Sequence, residues 1–143
     1  MKNFGYCIWC TSSEFPEKIN AFTNGFRLHM SVRTHYKTLG QAKLFFNTLP
    51  KKINIEVEFV NMIYSDDTEF ACVYFTIKNK EIMSNSWWPK NSHISFHYSY
   101  DGKINETVRD KIAEKVKNMK EIKLDGFHLM NCNGDFHEWK FIC

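Results

Sequence analysis

Polar and apolar residues alternate along much of the chain, and such alternation is typical of half-buried β-strands. Turn signals such as Asn24-Gly25 and Asp101-Gly102 stand between these stretches. Alternation predicts strands over residues 26–34, 53–63 and 92–100, and strand-forming residues between turn signals predict others over 4–11, 69–77, 121–131 and 136–142.

Helical spacing replaces alternation in two long stretches. Over 38–49 the apolar residues recur three and four positions apart until Pro50 ends the pattern. Over 104–119 an apolar stripe is opposed by Lys and Glu. A shorter helix is predicted over 16–22. The resulting order, β-α-β-α-β-β-β-α-β-β, favours an α+β fold with mostly antiparallel β-sheets and helices packed on the outside.

Composition narrows the class of protein. The 143 residues, 43% hydrophobic and 16% aromatic, fit a single folded domain over residues 1–143. The net charge of +3 allows an anionic ligand of modest size but does not indicate a surface for duplex DNA. Neither a membrane-length apolar run nor a signal-peptide pattern is present, so we expect a cytoplasmic protein without a membrane partner.

Five cysteines are scattered along the chain, and their odd number favours free thiols in a reducing compartment. Cys7 and Cys10 have the spacing of a metal or redox pair. No second Cys or His pair at zinc spacing accompanies them, and both fall within a predicted strand. We therefore expect buried thiols, and neither a metal nor another cofactor.

The predicted strand over 92–100 has an unusual polar face. His93 and Ser95 project to one side, roughly 6.6 Å apart along the strand, while Ile94 and Phe96 project to the other. A row of imidazole and hydroxyl groups is a poor surface for a core. It is a good surface for a binding or catalytic site.

The same phrase, apolar-His-apolar-Ser-apolar, occurs earlier around His29 and Ser31. Its recurrence after a similar amount of structure predicts two related lobes. Two imidazoles that face each other near neutral pH can take and give protons, one as base and one as acid. A hydroxyl beside each can donate a hydrogen bond to a phosphate oxygen as charge develops there. Phosphodiester cleavage needs this combination of groups.

The phrases His29-Met30-Ser31 and His93-Ile94-Ser95 resemble the paired His-x-Ser/Thr motifs of the 2H phosphoesterase (LigT-like) superfamily. The order of elements follows that family over nearly the whole chain. The resemblance implies that His29 and His93 are the catalytic acid and base, in an order left open, and that Ser31 and Ser95 hold the phosphate. It implies no metal.

His97, with Ser99, forms a third phrase on the same predicted face, so the second motif is either His93 or His97. We prefer His93, because the apolar flanks of its phrase match those of His29, and assign His97 to the substrate. Aromatic side chains near the motifs could stack on bases, and basic ones could bind phosphate. The predicted substrate-binding residues are Trp9, Arg33, Tyr36, Trp87, Trp88, Lys90 and His97.

The resemblance implies a metal-independent phosphodiesterase that acts on a small nucleotide. We expect a cyclic dinucleotide or oligonucleotide immune signal such as cGAMP, with 2′,3′-cyclic phosphates and 2′-5′ oligoadenylates as further substrates. The chain is as compact as the small viral members that degrade such signals, and a viral origin would place it in the host cytoplasm. The alternative is a binding module with the same fold that sequesters a nucleotide or RNA without turnover.

Overall fold

The computed structural model describes residues 3–13, 28–66, 71–78, 93–99, 104–119, 121–134 and 138–143. These residues form eight strands and two helices. The strands are β1 (Tyr6–Thr11), β2 (His29–Tyr36), β3 (Ile55–Asp66), β4 (Ala71–Lys78), β5 (His93–Ser99), β6 (Glu121–Leu124), β7 (Gly126–Asn131) and β8 (Lys140–Phe141). The helices are α1 (Leu39–Phe46) and α2 (Glu106–Met119).

The eight strands lie in one sheet in the order β6-β3-β4-β5-β2-β1-β7-β8. Every neighbouring pair in it is antiparallel. The predicted α+β class with mostly antiparallel pairing is therefore confirmed. The described strands make one continuous sheet, which differs from the separate sheets expected for two lobes.

The sheet has two halves that share part of their connectivity, since in each of them a strand that carries a His-x-Ser phrase lies beside the described strand before it in the chain and is followed by a helix. In one half β2, β1 and β7 lie side by side and helix α1 follows β2, while in the other β5, β4 and β3 lie side by side and α2 follows β5. The two halves join through the β2–β5 pair. The fold therefore brings the two His-x-Ser phrases, which are distant in sequence, to the centre of the sheet.

The prediction of a single strand over 121–131 is wrong, because Asp125 divides this stretch into β6 and β7. β6 pairs with β3 at one edge of the sheet, and β7 pairs with β1 near the other. Since a single residue joins them, the sheet must curl until these two positions approach each other. The Asp125 backbone N–H donates to the Thr11 carbonyl at 2.9 Å, and its carboxylate accepts from both the backbone N–H and the hydroxyl of Ser13.

The two helices begin where capping chemistry favours it. The Thr38 hydroxyl accepts a hydrogen bond from the backbone N–H of Gln41, which satisfies one of the free donors at the start of α1. The Asn105 side chain accepts from the backbone N–H of Thr107 at the start of α2. Both helices were predicted, with bounds that differ from the observed ones by a few residues.

One face of the sheet, which we call the helix face, packs against both helices. Its buried side chains form one apolar cluster, and burial of this size is the main source of free energy for folding. The cluster includes Ile8, Cys10, Met30, Val32, Ile94, Phe96 and Leu129 of the sheet with Ala42 of α1 and Ile112 of α2.

A smaller cluster forms on the other face, which we call the motif face. Four buried side chains belong to it, and Phe4 and Trp139 pack against them. The four are Cys7, Trp9, Met130 and Cys132.

Several predicted elements have a simple outcome. The strands predicted over 53–63 and 69–77 are observed as the antiparallel pair β3–β4, and part of the strand predicted over 136–142 is observed as β8, which pairs with β7. The helix predicted over 16–22 and the Asn24-Gly25 turn lie outside the described residues. Within the part of the chain that the structure describes, no helix is both long and apolar enough to cross a membrane.

Candidate functional site

The two motif strands are hydrogen-bonded neighbours at the centre of the sheet. Their antiparallel register places His29 opposite Ser95. Continued by two residues, the same register places Ser31 opposite His93, so each imidazole stands across from the hydroxyl of the other motif. Directly opposed Cβ atoms in such a pair are about 4.5–5.5 Å apart, and diagonal neighbours about 7–8 Å apart. All four motif residues therefore lie within one small area.

The residues between the motif positions fix the face on which the motifs lie. Met30 and Ile94 also stand opposite each other, and both are fully buried in the cluster of the helix face. Because successive side chains of a strand point to opposite faces, the His and Ser residues project from the motif face. Met30 and Ile94 therefore anchor the two phrases in the core.

The register also bears on the choice between His93 and His97. His97 pairs with Val73 of β4, beyond a register shift that follows Ser95. It therefore lies outside the pairing that joins β5 to His29 and Met30 of β2. The symmetric pairing of two phrases favours His93 as the partner of His29. The side chain of His97 lies outside the part of the molecule that the structure describes.

His29 and His93 have different surroundings. The His29 side chain is 1% exposed, and its ring stacks on the ring of Trp9 with the centroids 3.5 Å and the planes 4° apart. His93 is half-buried. Trp9 is only 2% exposed, and its predicted contact with a base stays a prediction.

Two hydroxyl groups lie buried beside His29. Ser95 stands opposite it on β5 and Thr11 opposite it on β1, and both side chains are buried. Within the part of the chain that the structure describes, the Thr11 hydroxyl has no hydrogen-bond partner. An unsatisfied buried hydroxyl costs free energy, and a ligand atom that bonds to it would recover that cost. Sequence analysis missed Thr11, because nothing in the sequence showed that β1 lies beside β2.

Arg33 and Tyr36 lie on β2 but do not share the motif face. Register shifts between β1 and β2 place Arg33 opposite Ile8 and Tyr36 opposite Tyr6. Such β-bulges change which face successive residues occupy. The Arg33 guanidinium consequently lies over the Phe45 ring of α1, 4.5 Å from its centroid, and Tyr36 packs against the cluster of the helix face.

The remaining predicted substrate contacts are Trp87, Trp88 and Lys90. All three lie outside the described residues. Their predicted roles stay predictions.

A further imidazole, that of His128, lies near Trp9. His128 of β7 stands opposite Trp9, and its ring meets that of Phe141 edge-on with centroids 5.0 Å apart. Phe141 is 45% exposed. The alternation of residues in 126–131 was visible in the sequence, but the strand beside them was not.

The two closely spaced cysteines, Cys7 and Cys10, do not share a site. Cys7 belongs to the cluster on the motif face and Cys10 to the cluster on the helix face, so the pair at close spacing is divided by the sheet. Burial, with a smaller contribution from the charge of Asp125, raises the pKa of the Cys10 thiol to about 12. A hydrogen bond with the Cys7 thiol, followed by burial, raises the pKa of Cys132. Among the described residues, no group of three or more His, Cys, Asp or Glu could hold a metal ion.

Comparison with known proteins returns no match, either to a protein-family model or to a curated protein. The chemistry of the site is therefore inferred from its own residues and their register.

Proposed function

We propose that the protein is a metal-independent phosphodiesterase of the 2H type that acts on a small nucleotide phosphodiester. The observation that supports this proposal is the register in which His29 lies opposite Ser95 on neighbouring strands. Acid–base cleavage requires two proton-transfer groups on either side of one phosphorus atom, with hydrogen-bond donors around it. Two His-x-Ser phrases in antiparallel register supply those groups in pairs.

The proposed reaction follows from these groups. One imidazole takes the proton of an attacking hydroxyl, from a neighbouring ribose or from water, as the new P–O bond forms. The other imidazole gives its proton to the oxygen of the P–O bond that breaks. Ser31 and Ser95 donate to the non-bridging oxygens, whose charge is greatest in the transition state. The assignment of acid and base to the two imidazoles stays open.

The substrate class is proposed as a cyclic dinucleotide or oligonucleotide signal, such as cGAMP, with 2′,3′-cyclic phosphates and 2′-5′ oligoadenylates as further candidates. The mild positive net charge of +3 suits a compact anion better than a long polyanionic duplex. The resemblance of the two His-x-Ser phrases to those of the 2H superfamily, which has small viral members that degrade such signals, supports the choice of an immune signal.

The burial of His29 favours a second candidate function. A side chain that is 1% exposed must become accessible before it can transfer a proton to a substrate. A binding module of the same fold would need no such exposure. This second candidate holds a nucleotide on the motif face without cleaving it.

One experiment separates the two candidates. The protein is incubated with cyclic dinucleotides, 2′,3′-cyclic mononucleotides and 2′-5′ oligoadenylates, with and without EDTA, and the products are separated by chromatography. The matched control is the His29→Ala/His93→Ala double variant. New products formed by the wild type in EDTA, and absent with the variant, support the phosphodiesterase. A ligand that is retained but recovered unchanged supports the binding module, and a panel neither bound nor cleaved rejects both.

A further inference from the structure

Trp9 lies outside both motifs, but its contact with His29 adds it to the candidate site. We propose that Trp9 is a positioning residue that fixes the plane of the His29 imidazole. The inference rests on the proposed function, since it takes His29 to be one of the two proton-transfer groups. Trp9 itself needs no contact with substrate.

The position of Trp9 follows from the register of β1 and β2. Thr11 lies opposite His29, and Trp9 lies opposite Ser31, so Trp9 is a diagonal neighbour of His29 on the same face. Diagonal neighbours are within reach of aromatic side chains. The indole uses this reach to cover the imidazole, and the nearly parallel planes at 3.5 Å place the two rings face to face.

Trp9 is itself held on its other sides. The ring of Trp139 meets it at 75° with centroids 5.8 Å apart, and the ring of Phe141 meets it at 84° and 6.3 Å. Cys7 and Met130 are buried in the same cluster. An indole surrounded in this way is a fixed plane rather than an adaptable contact.

The rigid indole of Trp9 restricts the rotation of the His29 ring about its bond to Cβ. Rotation of an imidazole about its bond to Cβ is broad in the absence of packing. Stacking on a rigid ring restricts that rotation, so both ring nitrogens of His29 stay in one plane relative to the phosphate site. Proton transfer depends on such orientation, and small errors of placement can cost about 10²-fold in rate.

The first test is spectroscopic and requires no activity. A ring stacked on an indole has its protons shifted upfield in the NMR spectrum by the ring current. In histidine-labelled protein, with the His29 signal assigned from a His29→Asn variant, Trp9→Leu is expected to move that signal downfield. The control variant Met130→Leu conserves volume within the same cluster and is expected to leave the signal in place. An unchanged signal in Trp9→Leu overturns the proposed stack.

The second test is kinetic. Trp9→Leu is expected to lower kcat by roughly 10–100-fold with little change in KM, because orientation and not substrate binding is lost. Trp9→Phe keeps a flat ring and is expected to restore most of the rate, while Met130→Leu retains wild-type kinetics. Equal losses in Trp9→Phe and Trp9→Leu, or a matching loss in Met130→Leu, would reduce Trp9 to ordinary packing. If the wild type cleaves no substrate, the proposed function fails, while the NMR test still decides whether the stack exists.

Discussion

The two His-x-Ser phrases have nearly the same sequence pattern but lie in different surroundings. His29 of β2 is buried, with Trp9 against one face of its ring and Thr11 across from it on β1. His93 of β5 is half-buried. The same local pattern therefore yields one imidazole that is firmly packed and another that is more accessible. A sequence motif specifies which groups are present, and the neighbouring strands decide how each is held.

The largest effect is expected from removal of either imidazole. His29→Ala and His93→Ala are each predicted to lower turnover by roughly 10²–10⁴-fold, the usual contribution of a general acid or base. Turnover is measured by chromatography on the best substrate of the panel. His35→Asn is the matched control, because His35 is exposed and Asn tolerates the positive φ of 66° found there. Full activity in either alanine variant would eliminate the proposed mechanism, whichever imidazole proved dispensable.

The hydroxyl partners are expected to contribute somewhat less. Ser31→Ala and Ser95→Ala are each predicted to lower kcat by about 10²–10³-fold, the range found when one donor to a developing oxyanion is removed. Since Ser95 is buried opposite His29, its loss leaves that imidazole without a neighbouring hydroxyl on β5. A comparison of kcat with KM for the two variants tests the assignment. A change confined to KM would place the hydroxyls in ground-state binding alone.

The apolar anchors beneath the two phrases provide a comparison of stability. Met30 and Ile94 stand opposite each other and are both fully buried. Met30→Ala and Ile94→Ala are each predicted to lower the free energy of unfolding by about 2–5 kcal/mol, because each leaves a cavity. Denaturant unfolding measures the loss, and Leu44→Ala on the exposed surface of α1 is the control. If one anchor could be removed at no cost, the phrase above it would not be held by the core in the way described.

Much of the fold was predictable because it depends on local pattern. Strand-forming residues indicated β1, alternation indicated β2 and β5, and the spacing of apolar residues indicated both helices. The two phrases on β2 and β5 were visible for the same reason. Their adjacency was not, since strand pairing depends on contacts that no local pattern records.

The positions of two predicted substrate contacts depend on the same kind of non-local pairing. Arg33 was expected to bind phosphate and Tyr36 to stack on a base, because both lie close to the first phrase in sequence. Two shifts of register along β2 place them opposite Ile8 and Tyr6, which belong to the other side of the sheet. A bulge is invisible to a count of alternating residues. Thr11, by contrast, was missed because its neighbour across the sheet is remote in the chain.

Cys10, on strand β1, gives a prediction about how the stability of the protein depends on pH. The pKa of Cys10 is raised to about 12, mainly by burial, from the ordinary thiol value of 9.0. The folded protein therefore holds this proton more tightly than the unfolded chain does. The stabilisation from Cys10 is complete below about pH 9 and is lost as the pH rises towards 12. Unfolding measured over this range is expected to show a steeper alkaline decline in the wild type than in Cys10→Ala, and equal declines would contradict the assignment.

The smallest effect on activity is expected at Arg33. This residue is close to the first phrase in sequence but lies on the other face of the sheet. Arg33 lies two residues beyond Ser31, yet its guanidinium rests on the Phe45 ring and donates to the Val32 carbonyl at 2.8 Å. Arg33→Met is therefore predicted to leave kcat/KM unchanged and to lower the free energy of unfolding by about 0.5–1 kcal/mol, the usual value of a cation–π contact near the surface. Activity assays and thermal unfolding of the same preparation measure both quantities. A large rise in KM with unchanged stability would mean that Arg33 reaches the substrate, and that the bulge in β2 does not separate the two faces.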